Sequence, residues 1–247
     1  MKKTMCISHG DKGGVGKSMT SAVMVERLLM EGVERLALIE GDANNRDVGE
    51  RYQDVTEIRA GFLPLNRPGA EAADAVTRLA TWIEIEDPDA LVVNLPSNAG
   101  ETLDGLSGIL RGACDGLGIR LVATYSLGLT DALTAGMVKS LQIGLLSHID
   151  PENRAVIYPL FAGNKSRYLW ARSSDRGKYP MREIEMPALA AHASLDRLNN
   201  TPGRIVTLGE HGVPGWLVVD RINVAEWVHA AMRAMDPILQ ENDHEER

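Results

Sequence analysis

The sequence predicts a single α/β domain in which helices flank a doubly wound, mostly parallel β-sheet. Short apolar runs alternate along the chain with longer segments of helical periodicity, the order expected of βαβ units. The apolar runs are nearly continuous, which is typical of strands buried on both faces. Aromatic residues are scarce, with 2 Phe, 4 Trp and 5 Tyr in 247 residues. We therefore expect a core built mainly of Leu, Val, Ile, Ala and Met.

Five strands and five helices can be placed from these patterns. The predicted strands are Thr4–Ser8, Arg35–Glu40, Ala90–Leu95, Arg120–Tyr125 and Ala155–Phe161. The predicted helices are Lys17–Glu31, Ala70–Glu84, Glu101–Arg111, Thr130–Leu146 and Val224–Met235. The segment Asn164–Pro187 interrupts the alternation and is predicted to be an elaborated loop. We expect one domain over residues 1–239, followed by a polar tail over residues 240–247.

Composition excludes several classes of protein. No apolar run approaches the roughly 18 residues of a membrane span, and the N-terminus lacks the pattern of a signal peptide. Cys6 and Cys114 are too far apart in sequence to form a CxxC metal or redox site. The net charge of −8 argues against a protein that coats nucleic acid over its whole surface. We therefore expect a cytoplasmic protein.

The strongest functional signal is a glycine-rich segment between the first predicted strand and the first predicted helix. Its glycines allow backbone N–H groups to approach phosphate oxygens, and the start of the helix adds its positive dipole end. Lys17 is expected to reach the β and γ phosphates, and the Ser18 hydroxyl is expected to bind Mg²⁺. The residues expected to contact the nucleotide here are Asp11, Lys12, Gly13, Gly14, Val15, Gly16, Lys17, Ser18 and Met19.

This segment departs from the general phosphate-loop pattern G-x-x-x-x-G-K-[ST], because Asp11 stands where the first glycine belongs. The run from Lys12 to Ser18, KGGVGKS, instead resembles the deviant Walker A motif of the ParA/MinD family of ATPases. The resemblance implies a P-loop NTPase fold and a homodimer that forms around ATP. In such a dimer Lys12 would reach the nucleotide of the partner. The alternative is that Lys12 is a solvated loop lysine.

The end of the second predicted strand also resembles this family, whose members carry Asp-x-Asp there. Glu40 and Asp42 occupy the two positions. The resemblance implies that Asp42 orients the attacking water and lies near Mg²⁺, a role that Asp47 could share. A carboxylate at the carboxyl end of a parallel strand beside a phosphate loop is suitably placed for this. Asp42 could instead be a turn or helix-capping residue.

Residues 89–100 resemble the Walker B strand and the switch segment of the family. Asn94 stands where the family has an aspartate. An amide can bind a Mg²⁺-bound water but carries no negative charge, so weaker metal affinity and slow hydrolysis are expected. Asn94 could alternatively be a hydrogen-bonded core amide without a role in metal binding.

Two later positions match the adenine-binding loops of the family. They are Asn164, whose amide could pair with the edge of the base, and Pro187. Both residue types are also common in turns.

A basic stretch with interleaved aromatic residues, Lys165–Arg182, could bind DNA nonspecifically. Its charges could instead pair with carboxylates of this acidic protein or contact a partner protein. The predicted helix Val224–Met235 carries a single Arg on its polar side, unlike a basic membrane anchor, and is expected to pack on the domain.

These observations together predict an ATP- and Mg²⁺-dependent switch that dimerises around the nucleotide and hydrolyses it slowly. The resemblance implies that the switch acts with an unidentified protein partner. Its cellular role would be plasmid partition, conjugative transfer or the positioning of an assembly. Two alternatives stay open: a nucleotide-dependent regulator that does not hydrolyse, and a small-molecule ligase of the dethiobiotin or cobyrinate type. The absence of a CxxC pair argues against iron–sulfur carriers.

Overall fold

A seven-stranded sheet forms the centre of the computed structural model, which describes residues 2–42, 45–65, 70–97 and 99–240. The strands are β1 (Thr4–His9), β2 (Leu36–Glu40), β3 (Ile58–Phe62), β4 (Ala90–Asn94), β5 (Arg120–Ser126), β6 (Arg154–Pro159) and β7 (Arg182–Met186). Their order is β3-β2-β4-β1-β5-β6-β7, and every described pair is parallel. The predicted parallel α/β fold is confirmed.

Helices cover both faces of the sheet. They are α1 (Lys17–Met30), α2 (Asp47–Tyr52), α3 (Ala70–Glu86), α4 (Ala99–Gly116), α5 (Asp131–Ile143), α6 (Leu169–Arg172), α7 (His192–Asn199), α8 (Ile205–His211) and α9 (Val218–Leu239). One apolar core lies between the sheet and α1, α2, α8 and α9, and a second lies between the sheet and α3, α4 and α5. The sheet is therefore doubly wound, as predicted.

Strand β1 shows why the buried strands read as continuous apolar runs. Met5 and Ile7 face the core formed with α3, α4 and α5, whereas Cys6 faces the core formed with α1 and α9. All three side chains are buried. Because neither face meets water, the sequence has no reason to alternate between polar and apolar residues.

The connections of the sheet place a crevice at the carboxyl end of β1. The chain passes from β1 towards β2 on one side, and from β5 towards β6 on the other. In open parallel sheets, such a reversal of direction leaves a crevice where ligands bind. The glycine-rich segment begins directly after β1, so the fold places it at this crevice.

The sequence patterns did not predict the two edge strands, β3 and β7. The prediction that Asn164–Pro187 is only a loop was wrong, because α6 and β7 lie within it. In β7, buried Ile184 and Met186 alternate with the more accessible Glu183 and Glu185. An edge strand is exposed along one side, so it lacks the continuous apolar run by which the central strands were found.

The predicted C-terminal helix packs on the domain, as expected, but is longer than its apolar pattern. It spans Val218–Leu239 and buries Trp227, Val228 and Met232 against the core shared with α1. Among the described helices, none combines the length and the apolar character needed to cross a bilayer. Of the predicted tail, residues 241–247 lie outside the described part of the chain.

Candidate functional site

The segment between β1 and α1 forms a tight loop that depends on its glycines. Gly14 and Gly16 have φ angles of 76° and 89°, in the left-handed region that side chains disfavour. A Cβ atom on Gly16 would lie 3.3 Å from the ring of Phe161, so there is little room for a larger residue. The loop leads directly into the first turn of α1 at Lys17.

Lys17 is held inside this loop. Only 6% of its surface is exposed, and its Nζ donates a hydrogen bond to the carbonyl oxygen of Lys12 at 2.7 Å. Burial lowers the pKa of Lys17, and the negative charges of Asp42, Asp11 and Asp47 oppose this effect. The Ser8 hydroxyl donates to the Lys17 carbonyl at 3.0 Å and fastens the start of α1 to β1. The lysine is therefore positioned beside the glycine backbone.

A cleft of about 340 Å³ opens on the loop. Its lining includes Gly13, Gly14, Gly16, Lys17, Ser18, Met19, Asp42, Asn45, Asp47, Asn94, Ser97 and Phe161. Most of the predicted loop residues therefore line one cleft. Asp42 and Asn94, the two residues predicted to lie near the metal, line the same cleft. A larger cleft of about 720 Å³ lies next to it, between α1, α2 and the turn at residues 199–202, and shares Ser18, Met19, Asn45 and Asp47 with it. A ligand larger than phosphate can therefore be accommodated here.

Three predicted loop residues point elsewhere. Lys12 is exposed at the outer edge of the loop, and Val15 is buried. The Asp11 carboxylate lies on the far side of the loop from the cleft, against Gly100 of α4 and Gly136 of α5. Asp11 can therefore contribute its backbone, but not its side chain, to a ligand in the cleft.

Asp42 both lines the cleft and is hydrogen-bonded to its neighbours in sequence. Its Oδ1 accepts a hydrogen bond from the backbone N–H of Asn45 at 3.1 Å, and its own N–H donates to Glu40 Oε1 at 3.0 Å. These bonds hold the carboxylate in the lining of the cleft. The two interpretations of Asp42 are therefore compatible, and its role towards water or metal stays a prediction.

Asn94 lines the cleft, and its side-chain amide is bound to the buried carboxylate of Glu40. The register of β2 and β4 places the two residues side by side. The Asn94 amide donates to Glu40 Oε1 and Oε2 at 3.0 and 3.1 Å, and its Oδ1 accepts from the Ser21 hydroxyl at 3.0 Å. Asn94 is 1% exposed. These bonds favour the interpretation as a core amide, and metal binding by Asn94 stays a prediction.

Glu40 is the ionisable group at this site whose importance the sequence did not reveal. It also accepts from the backbone N–H of Gly49 at 3.2 Å, so its carboxylate joins β2, β4 and α2. Burial raises the pKa of Glu40 to about 7, although its hydrogen bonds from Asp42, Asn94 and Gly49 act in the opposite direction. The sequence did contain one indication of this role, because Glu40 is a charged residue at the end of an apolar run that predicts a buried strand.

The predicted adenine-contacting residues are engaged in local contacts. Asn164 is exposed, and its Oδ1 accepts from the Ser166 hydroxyl at 2.9 Å. The Pro187 carbonyl accepts from the indole N–H of Trp227 at 2.9 Å. Phe161, which lies three residues before Asn164, lines the cleft with an exposed ring. The sequence gives no signal for this role, because Phe161 ends an apolar run that predicts a strand and its exposure is visible only in the structure.

Contacts in the basic stretch Lys165–Arg182 are mostly internal. Lys165 pairs with Glu183 at 2.8 Å, Arg176 also pairs with Glu183, and Lys178 pairs with Asp175. Two of its aromatic residues, Tyr168 and Trp170, are buried in the core. This arrangement favours pairing with the protein's own carboxylates, and DNA binding stays a prediction.

Comparison with known proteins gives one match along the whole chain. It is 22% identical over 249 residues to protein MobD of Acidithiobacillus ferrooxidans, covering 98% of this chain and all of that protein. No family model matches the sequence.

The solved structures that resemble parts of the fold include the following two. A nucleotide-binding protein of Archaeoglobus fulgidus, in complex with ADP, is 12% identical and covers 80% of this chain and 86% of its own, with a TM-score of 0.49. Chloroplast FtsY of Physcomitrella patens is 18% identical and covers 76% of this chain and 59% of its own, also at 0.49. The parallel α/β fold is established by the seven-stranded sheet of the chain itself.

We predict that Glu40 makes stability fall as the pH rises. Its pKa is about 7 in the folded protein against an ordinary value of 4.5, so the folded state binds the extra proton between these pH values. The stability contribution is full below pH 4.5 and is lost by about pH 7. Relative to Glu40→Gln, the wild-type free energy of unfolding should fall by about 1–3 kcal/mol across this window. Denaturant titrations at several pH values measure the difference, and a constant difference would contradict the prediction.

We predict that Asn94→Asp destabilises the protein most at high pH. The new carboxylate would face the Glu40 carboxylate at about the present 3.0 Å, and two such groups cannot both be ionised cheaply. The loss at pH 8 should be about 3 kcal/mol, and smaller at pH 5, where the pair can share a proton.

Thermal unfolding with and without Mg·ATP separates the two interpretations of position 94. If Asn94 lies close to the metal, Mg·ATP should restore much of the stability lost in Asn94→Asp, and the variant should need less Mg²⁺. If it is only a core amide, the loss should persist in both conditions.

Proposed function

We propose that the chain is an ATP-binding molecular switch of the ParA/MinD type, which dimerises around Mg·ATP and hydrolyses it slowly. The observation that carries the proposal is the buried Lys17 inside a glycine loop at the start of α1, with the carboxylate of Asp42 across the same cleft. A cationic group, backbone N–H donors and a carboxylate converge here in the way that phosphate and Mg²⁺ require.

The loop suits a polyphosphate for three physical reasons. Its glycines expose backbone N–H groups without side chains in the way. The 14-residue helix α1 directs its positive dipole end towards the cleft. Lys17 Nζ donates to Lys12 O, which leaves two further N–H donors on the ammonium. These groups would bind the phosphates of ATP.

The residues at the cleft also suit Mg²⁺, since Ser18 and Asp42 offer oxygen donors. Mg²⁺ is commonly held by one or two carboxylates together with substrate phosphates and waters. In the described part of the chain, no three His, Cys, Asp or Glu side chains converge as a metal site. When bound, Mg²⁺ neutralises charge that develops on the transferred phosphoryl group. Ser18 and Asp42 would hold it at the phosphates.

Slow hydrolysis is proposed because, of the two acidic residues Glu40 and Asp42 at the end of β2, only Asp42 lines the cleft. Asp42 would orient the attacking water, while Glu40 is occupied by hydrogen bonds behind the cleft. The neutral Asn94 adds no charge. The same observation favours a second candidate, a regulator that binds ATP without hydrolysing it. The two candidates differ in whether purified protein releases phosphate from Mg·ATP.

Dimerisation is proposed because Lys12 is exposed at the rim of the loop. There its ammonium can reach the nucleotide of a second copy, as the family resemblance implies. The cellular role proposed with it is plasmid partition, conjugative transfer or positioning of an assembly. A small-molecule ligase would instead turn over only in the presence of a carboxylate substrate.

We predict that Lys17→Ala abolishes most nucleotide binding. Charge-assisted hydrogen bonds to the β and γ phosphates are together worth about 3 kcal/mol, so the affinity for Mg·ATP should fall roughly a hundredfold. Isothermal calorimetry measures the change. Lys139→Ala, at an exposed lysine of α5, is the matched control and should bind normally. Equal affinity of Lys17→Ala and Lys139→Ala would overturn the assignment of the cleft.

We predict a different defect for Lys12→Ala, since Lys12 lies at the outer rim of the loop. The variant should lose ATP-dependent dimerisation in light scattering, and its affinity for nucleotide should fall less than that of Lys17→Ala. Phosphate release should fall with dimerisation. A Lys12→Ala protein that dimerises and turns over like Lys139→Ala would make Lys12 a solvated loop lysine.

A further inference from the structure

The side chain of Asp11 occupies a socket on the far side of the loop from the cleft. Asp11 stands at the position where the general phosphate-loop pattern has glycine. Its carboxylate lies between Gly100, in the first turn of α4, and Gly136, in the middle of α5. The loop is therefore in contact with two helices that do not belong to the cleft.

Two glycines make the space that the Asp11 carboxylate fills. A Cβ atom on Gly136 would overlap Asp11 Oδ2, and a Cβ atom on Gly100 would lie 2.5 Å from Asp11 Oδ1. Glycine is unfavourable inside a helix relative to alanine, because its backbone loses more freedom on folding. Glycine at these two helical positions is therefore explained by the carboxylate it admits.

Two buried rings form the remaining walls of the socket. His9 and Tyr125, at the ends of β1 and β5, contact each other edge to face with ring centres 4.8 Å apart. His9 Cε1 lies 3.1 Å from the Cβ position of Gly100, and the Tyr125 hydroxyl lies 2.9 Å from that of Gly136. Burial lowers the pKa of His9 and raises that of Tyr125, so both rings are uncharged at neutral pH. The socket therefore has neutral, rigid walls around the carboxylate.

The loop contacts the start of α4 at a second place. The Cβ position of Gly13 lies 3.4 Å from the Ser97 hydroxyl, two residues before α4 begins. Ser97 and Gly13 also line the cleft. A rearrangement of the loop around a ligand would thus act on the start of α4 from both the cleft side and the socket side.

We propose that Asp11 is a positioning residue that couples occupancy of the phosphate loop to the first turns of α4. The proposal depends on nucleotide binding at the loop, as proposed above. A shift of the loop towards α4 and α5 would carry the Asp11 carboxylate against Gly100 and Gly136, because the socket leaves little room there. The first turns of α4 and the adjoining part of α5 would then carry the nucleotide state to the surface.

The socket itself is tested by thermal unfolding of a pair of variants. Gly136→Ala should lower the melting temperature, because the new methyl group overlaps Asp11. In an Asp11→Gly background the same substitution should cost clearly less, since the carboxylate is gone and only the Tyr125 hydroxyl, 2.9 Å from the new methyl position, still crowds it. The matched control is Gly112→Ala, at an exposed glycine of α4 whose Cβ position meets nothing within 4 Å. It should raise the melting temperature in both backgrounds. Equal effects of Gly136→Ala in both backgrounds would overturn the socket.

The coupling is tested by hydrogen exchange of residues 99–105 with and without saturating Mg·ATP, alongside calorimetry on the same samples. Wild type and Gly112→Ala should exchange more slowly in this segment when nucleotide is bound. Gly136→Ala, which does not touch the cleft, should bind nucleotide but lose most of this difference. Should Gly136→Ala fail to fold, Asp11→Gly at saturating nucleotide gives the same comparison.

The possible results separate this proposal from the proposed function. If wild-type protein does not bind Mg·ATP in calorimetry, the proposed function is wrong and the coupling is wrong with it. If it binds but α4 exchanges alike with and without nucleotide, the coupling alone is wrong. The coupling is also wrong if Gly136→Ala keeps the full wild-type difference.

Discussion

The hydrogen bonds between Asn94 and Glu40 organise the site more than any other contact. The register of β2 and β4 places the two side chains together, and both polar atoms of the Asn94 amide are used. Glu40 accepts in addition from the backbone N–H groups of Asp42 and of Gly49, which fixes Asp42 after β2 and the start of α2. Ser21 extends the contact to α1. One buried carboxylate and one amide thereby hold four elements around the cleft.

This pair also explains why position 94 carries an amide, where the motif that the sequence resembles has an aspartate. An aspartate there would put two carboxylates within about 3 Å in a buried place, where one of them would have to be protonated. An amide instead donates to Glu40 and partly compensates for its burial. A neutral hydrogen-bond donor at position 94 therefore suits the buried carboxylate at position 40. The consequence for the cleft is that Asp42 and Asp47 supply the negative charge that Glu40 and Asn94 do not.

The sequence revealed the centre of the fold and the loop but not the edges or the contacts behind the cleft. Central strands such as β1 are buried on both faces, so their composition alone identifies them. Edge strand β7 carries Glu183 and Glu185 among its apolar residues and was missed. The motif located Lys17 because backbone geometry and phosphate chemistry determine its position. The Asn94–Glu40 contact depends on strand register, which a single sequence does not give when both faces of the strands are apolar.

Three charged side chains of the loop point in three different directions. This arrangement is compatible with the phosphate binding that is proposed for the loop. Lys17 turns inward to its own backbone, Lys12 extends from the rim, and Asp11 enters the socket at Gly100 and Gly136. In the proposed function, backbone N–H groups and Lys17 would bind the phosphate oxygens within one chain, which would leave the side chains at 11 and 12 for other contacts. A position where many phosphate loops carry glycine is therefore available for a contact with the surrounding helices. The same few residues can then bind a ligand and connect the cleft to two different surfaces of the domain.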